Sequence, residues 1–77
     1  MKNAEDSRNS ILENLYEEYR KLVMRITCNI LRDEELAKDA FQAAFLYIAQ
    51  NTDKIPGSSD KKEKYIRRIA KNSAIDI

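Results

Sequence analysis

The chain has 77 residues and a formal net charge of +1, with 35% charged and 43% hydrophobic residues. So short a chain forms one domain and buries only about 60% of the surface its unfolded form exposes, which leaves room for a single core. It has no His, no Trp, one cysteine (Cys28) and no Gly-rich phosphate loop. Without a Cys/His pair, a Ser/His/Asp set or a zinc ligand cluster, neither an enzyme nor a bound metal or cofactor is expected.

A lone Cys28 cannot close an internal disulfide and fits a reducing compartment. The longest apolar run, "AAFLYIA" at 43–49, falls far short of the ~20 residues of a membrane span. No apolar leader opens the chain, so a soluble cytoplasmic protein is expected. Charge is unevenly spread: residues 1–19 carry two positives and five negatives, residues 20–57 six and five, residues 58–77 six and three. An acidic start and a basic end point to faces that meet different partners.

Taken in chain order, apolar residues recur with helical periodicity, with no internal repeat and no alternating strand pattern, so an all-α fold of three helices is expected. Residues 1–9 read as a flexible N-terminus with room for a short extra turn or helix, and residues 10–77 as the helical domain. The first helix is expected to open at Ser10, because Glu13 follows at capping-box spacing. Its inward stripe is Leu12, Leu15, Tyr16, Tyr19, Leu22, Val23, Ile26 and Ile30.

"RDEEL" then interrupts the pattern, with Asp33 as N-cap and Glu34 and Glu35 in the first turn of a second helix. Ala37, Ala40, Phe41, Ala44, Phe45 and Ile48 form its core stripe, the alanines permitting close helix approach. "NTDKIPGSSD", at 51–60, holds the only Pro and the only Gly and reads as the one substantial loop. Ser59 or Asp60 is expected to cap the third helix, whose inward residues are Ile66, Ile69, Ala70, Ser73 and Ile77.

Two faces lie outside these stripes. On the second helix the outward side carries Lys38, Asp39, Gln42, Ala43, Leu46, Ala49 and Gln50. Leu46 is either one of the single exposed leucines common on surfaces or the apolar anchor of a protein-binding face with a polar rim. On the third helix Lys61, Lys64, Arg67, Arg68 and Lys71 share one arc, with Asn72 at its edge and the acids Glu63 and Asp76 off it. That arc is either a solvated basic face or a phosphate-binding one, its charge not neutralised within its own helix. Tyr65 is either a stacking aromatic or a half-buried core residue with its hydroxyl in water.

"YIRRIAKNSAID", at 65–76, resembles the last helix of region 2 in extracytoplasmic-function sigma factors, where an aromatic and an aliphatic precede basic residues and I-A-R-N-x-A-I-D. Upstream, the I-L-x-D-x-x-x-A-x-D, D-x-x-Q-x-x-F and N-x-D-K patterns of that family occur in the same order, so the resemblance covers residues 15–77. It implies a compact helical sigma region 2 domain that docks on the β′ clamp helices of RNA polymerase core and recognises and opens the promoter minus-ten element on its non-template strand. An anti-sigma factor is a further partner of such domains.

Carried over by position, the resemblance assigns Asp39 and Gln42, with Leu46 one turn on, to polymerase binding. It places Asn72 near the melted strand and Arg68 and Lys71 at basic positions, and gives the 53–60 loop the capture of an unstacked base. With the rest of the basic arc, Lys61, Lys64 and Arg67, these form the expected DNA face. The chain departs from the pattern at Ala43, where Glu is usual, at Lys62 and Tyr65, where F-x-x-W is usual, and at Ser73, usually aliphatic. It stops at Ile77, before the helix-turn-helix domain of the family, so an excised domain is expected. The rival expectation is a helical adaptor or decoy that binds protein and not DNA.

Overall fold

The computed structural model describes residues 4–76. Three helices follow one another, α1 (Ala4–Leu31), α2 (Glu34–Gln50) and α3 (Ser59–Ile75), with a single 3₁₀ turn at Thr52–Lys54. Each helix packs against the other two. The molecule measures 44 × 24 × 19 Å, and its long axis is that of α1, since 28 residues at about 1.5 Å each span that length. Among the described residues, no helix is long and apolar enough to cross a membrane.

α1 is already formed at Ala4, so the expected opening at Ser10 is wrong and Ser10 lies exposed within the helix. Residues 4–9 contain no Gly or Pro, and a helix nucleated by the stripe downstream propagates through them. Residues 1–3 and Ile77 lie outside the described residues.

The buried line of α1 is Leu15, Tyr19, Val23 and Thr27, a strict spacing of four that faces both partner helices. Leu12, Leu22 and Ile26 pack half-buried on its flanks. Tyr16 and Ile30, expected inside, are exposed. Tyr16 lies at the edge of the α1–α2 seam, and Ile30 occupies the last turn, where cover from the neighbouring helices runs out among the described residues. Thr27 was not expected in the core. Its hydroxyl donates to the Met24 carbonyl at 3.1 Å, so burial leaves no orphaned polar group.

A two-residue link joins α1 to α2. Arg32 adopts the left-handed region at φ 52, and its N–H donates to the Cys28 carbonyl at 2.9 Å, closing α1 in the manner usually given to Gly. Asp33 then caps α2 as expected, Oδ1 accepting the Leu36 N–H at 3.0 Å. Replacing Asp33 by Ala is expected to cost about 1 kcal/mol and lower the melting temperature by roughly 4–8 °C, while Asp33→Ser keeps the cap. Thermal melts followed by circular dichroism check both.

α2 buries Ala37, Ala40, Ala44 and Ile48 completely, with Phe41 and Phe45 half-buried beside them. At its end the Asn51 side chain donates to the Tyr47 carbonyl at 2.9 Å, and the chain turns through Thr52–Lys54. Ser58, not Ser59 or Asp60, caps α3: its extended backbone leads into the helix and its hydroxyl accepts the Lys61 N–H at 3.3 Å. Three adjacent residues of good capping type stand there, and only the backbone selects among them. α3 buries Ile66, Ile69, Ala70 and Ala74. Ala74 therefore belongs to the core, while Ser73 is only half-buried.

Candidate functional site

Asp39, Gln42 and Leu46 stand exposed in one row on α2, because the alanines and Ile48 on the other side bury the helix against α1 and α3. Leu46 is 60% exposed, the largest exposure among the described large apolar residues. Beside the row the α1–α2 seam opens into a groove of about 470 Å³ lined by Leu12, Glu13, Tyr16, Glu17, Phe45 and Ala49. Tyr16 meets Phe41 edge-on at a centroid distance of 5.9 Å and Phe45 at 5.3 Å, and the two phenylalanines lie 5.0 Å apart. Such pairs hold the rings in defined orientations at the surface. This groove escaped sequence reading, since its aromatics share the phase of the core. By helical angle Leu46 lies beyond the groove on the outer face of α2, and the groove itself includes the carboxylates of Glu13 and Glu17.

On α3 the expected cations divide. Lys61, Lys64, Arg68 and Lys71 are exposed on one arc with Asn72 at its edge. Arg67 instead pairs with Glu63 across one helical turn at 3.5 Å and lines a polar depression against α1 with Glu18, Arg25 and Asp60. The expectation that no charge is neutralised within the helix therefore fails at Arg67, which Glu63 reaches at the favoured spacing of four. Ile75, 59% exposed, stands among the remaining cations by helical angle and adds an apolar spot that sequence reading did not single out.

Between α2 and α3 lies a pocket of about 310 Å³, lined by Tyr47, Tyr65, Arg68, Ile69, Asn72, Ser73 and Asp76. Tyr47 reaches it because its position on α2 points toward α3, a placement that its exposed, apolar-flanked sequence context does not announce. The expectation that the Tyr65 hydroxyl lies in water is corrected: it is buried and has no hydrogen-bond partner among the described residues. Burial, then the nearness of Tyr47 and Asp53, pushes the Tyr65 phenol above its usual pKa, so it stays a neutral donor at physiological pH. Thr52, Ile55, Pro56 and Gly57 line a separate depression against Ile11, Leu15 and Glu18 of α1, and Asp53 is the loop residue felt at Tyr65.

A small three-helix domain with exposed apolar surface on α1 and α2 and a basic face beside a polar pocket on α3 has the surfaces of a binding module. The chain belongs to the sigma-70 region 2 family, whose family model matches residues 15–77. No curated protein matches the chain, and no solved structure matches it. Membership makes it a domain of the non-enzymatic transcription initiation factors that work with RNA polymerase core and promoter DNA.

Proposed function

We propose that the chain is region 2 of an extracytoplasmic-function type sigma factor acting in the cytoplasm. Asp39, Gln42 and Leu46 dock on the β′ clamp helices, and Lys61, Lys64, Arg68 and Lys71 hold the backbone of the non-template strand at the minus-ten element. The observation that carries this reading is the separation of the two surfaces: the outward row lies on α2 and the cationic arc on α3, each exposed along its length. Polymerase and DNA can therefore be held at once. The motif order of residues 15–77 supports the subtype.

Pulling a base from the duplex costs a few kcal/mol, so the domain alone melts DNA poorly and polymerase supplies the rest. Single strands are the appropriate probe. Counting the four arc cations that make no ion pair among the described residues, Lys61, Lys64, Arg68 and Lys71, binding should weaken with salt at a log–log slope near −3, from about −0.7 per phosphate contact. Arg68→Ala and Lys71→Ala should each reduce that slope by about 0.7, whereas Lys21→Ala on α1 should leave it unchanged. Titrating a labelled single strand at several salt concentrations reads this directly. A flat salt response, or equal losses from Lys21→Ala and Arg68→Ala, removes the DNA assignment and leaves a protein-binding adaptor or decoy.

A further inference from the structure

We propose that the groove between α1 and α2 takes the cationic face of α3 from a second copy of this chain, with Ile75 seated among Leu12, Tyr16 and Phe45 and the carboxylates of Glu13 and Glu17 facing Arg68 and Lys71. The contact stands independently of the DNA reading, and only its competition with a strand rests on that reading.

Two features have no task in the proposed function, and they are complementary. One is the groove, about 470 Å³ in volume and walled by Leu12, Tyr16, Phe45 and Ala49 together with Glu13 and Glu17. Neither carboxylate makes an ion pair among the described residues. Tyr16 is 41% exposed although two phenylalanines fix its ring, so an oriented apolar wall faces water. The other feature is Ile75, 59% exposed. Lys64, Arg68, Lys71 and Ile75 recur at i, i+4, i+7 and i+11, which places them on one stripe of α3. An isoleucine gains nothing beside phosphates, whereas an apolar residue in line with cations is how an amphipathic helix anchors in an acidic-edged groove.

Charge and spacing agree. Glu13 and Glu17 stand one helical turn apart on α1, as do Arg68 and Lys71 on α3, so two pairs of opposite charge form together. Exposed ion pairs contribute little apiece, so Ile75 supplies most of the affinity and the charges set the register. The groove opens between α1 and α2, while the stripe lies by helical angle opposite Ile66 and Ala70, which are buried against those helices. The two surfaces face apart, a pair cannot close by exchanging them, and copies join head to tail. One helix face buries less area than a standard interface, so the association is weak.

Sedimentation velocity on the chain at low salt, between about 10 μM and 1 mM, tests this. The average mass should rise above the 9.0 kDa of one chain with concentration and fall back as salt screens the charges. Ile75→Gln, and separately Glu13→Lys combined with Glu17→Lys, should each weaken association about tenfold or more. Mixed, these variants retain one intact groove and one intact stripe, so they should form a one-to-one pair and nothing larger. A wild type that stays monomeric at the highest concentration overturns the proposal, as does a mixture no heavier than its separate components. Excess single strand should return the wild type to monomers, since Arg68 and Lys71 serve both contacts. Assembly that persists on a bound strand overturns the seat on the stripe, whereas a chain that binds no strand removes the DNA reading alone. The concentration series on the unsubstituted chain keeps the proposal falsifiable even if a variant does not fold.

Discussion

Leu46→Asp is expected to abolish capture of RNA polymerase core while leaving the fold intact. The side chain is 60% exposed, and a surface substitution of this kind changes stability by no more than about 0.5 kcal/mol. At an interface the same change places a charge at the apolar centre of the proposed docking row. Anchors of that sort cost about 2 kcal/mol or more when truncated, a loss of roughly thirtyfold in affinity, and burying an unpaired carboxylate adds to it. Gln42→Ala should weaken capture less, through the loss of hydrogen bonds at the rim. Co-purification of core enzyme with each variant reads the ranking, with helical circular dichroism as the control for folding. Unchanged capture by Leu46→Asp would show that this face of α2 is not the docking surface. Lost capture together with unimpaired function after charge reversal at Arg68 and Lys71 would favour the adaptor over the DNA-engaging domain.

The second large effect concerns stability. Ile66 is fully buried where α3 meets the core, whereas Ile75, on the same helix, is 59% exposed. Ile66→Ala should cost about 2–5 kcal/mol through lost transfer energy and the cavity left behind. A chain of 77 residues has a total stability of only about 4–12 kcal/mol, so this one change brings the domain close to unfolding at ordinary temperature. Ile75→Ala removes the same atoms from a surface position and should cost less than about 0.5 kcal/mol. Urea titration of the two variants beside the parent chain tests the contrast. Equal destabilisation would mean that Ile75 is covered and the helix face is misplaced.

How far each element was legible depends on whether its signal is local. α2 was read almost completely: Asp33 is a cap signal contained within a few residues, and the alanines with Ile48 fall on one side of a helix of ordinary length. α1 was harder. Its stripe contains more apolar residues than the two partner helices can cover, and periodicity alone cannot say which flank is left out, so Tyr16 and Ile30 were expected inside and Thr27 was not. At the start of α3, Ser58, Ser59 and Asp60 are chemically equivalent as caps, and the choice follows from where the preceding loop leaves the extended backbone.

The candidate site divides along the same line. Asp39, Gln42 and Leu46 could be grouped from helical angles alone, since one helix holds all three. So could the basic arc, apart from Arg67, whose pairing with Glu63 is a rotamer choice. The pocket joining Tyr47 to Tyr65, Asn72 and Asp76 was beyond reach, because it exists only where α2 and α3 run side by side and no pattern within either helix refers to the other.

By itself, then, the sequence determined three helices, most of the buried residues on each, the outward row on α2 and the cationic arc on α3, because all of these repeat at the helical period within one segment. Tertiary structure decided the aromatic groove, the left-handed closure at Arg32, the buried hydroxyl of Tyr65 and the α2–α3 pocket. Each of these depends on how side chains from different helices share a limited space, which is a property of packing and not of period.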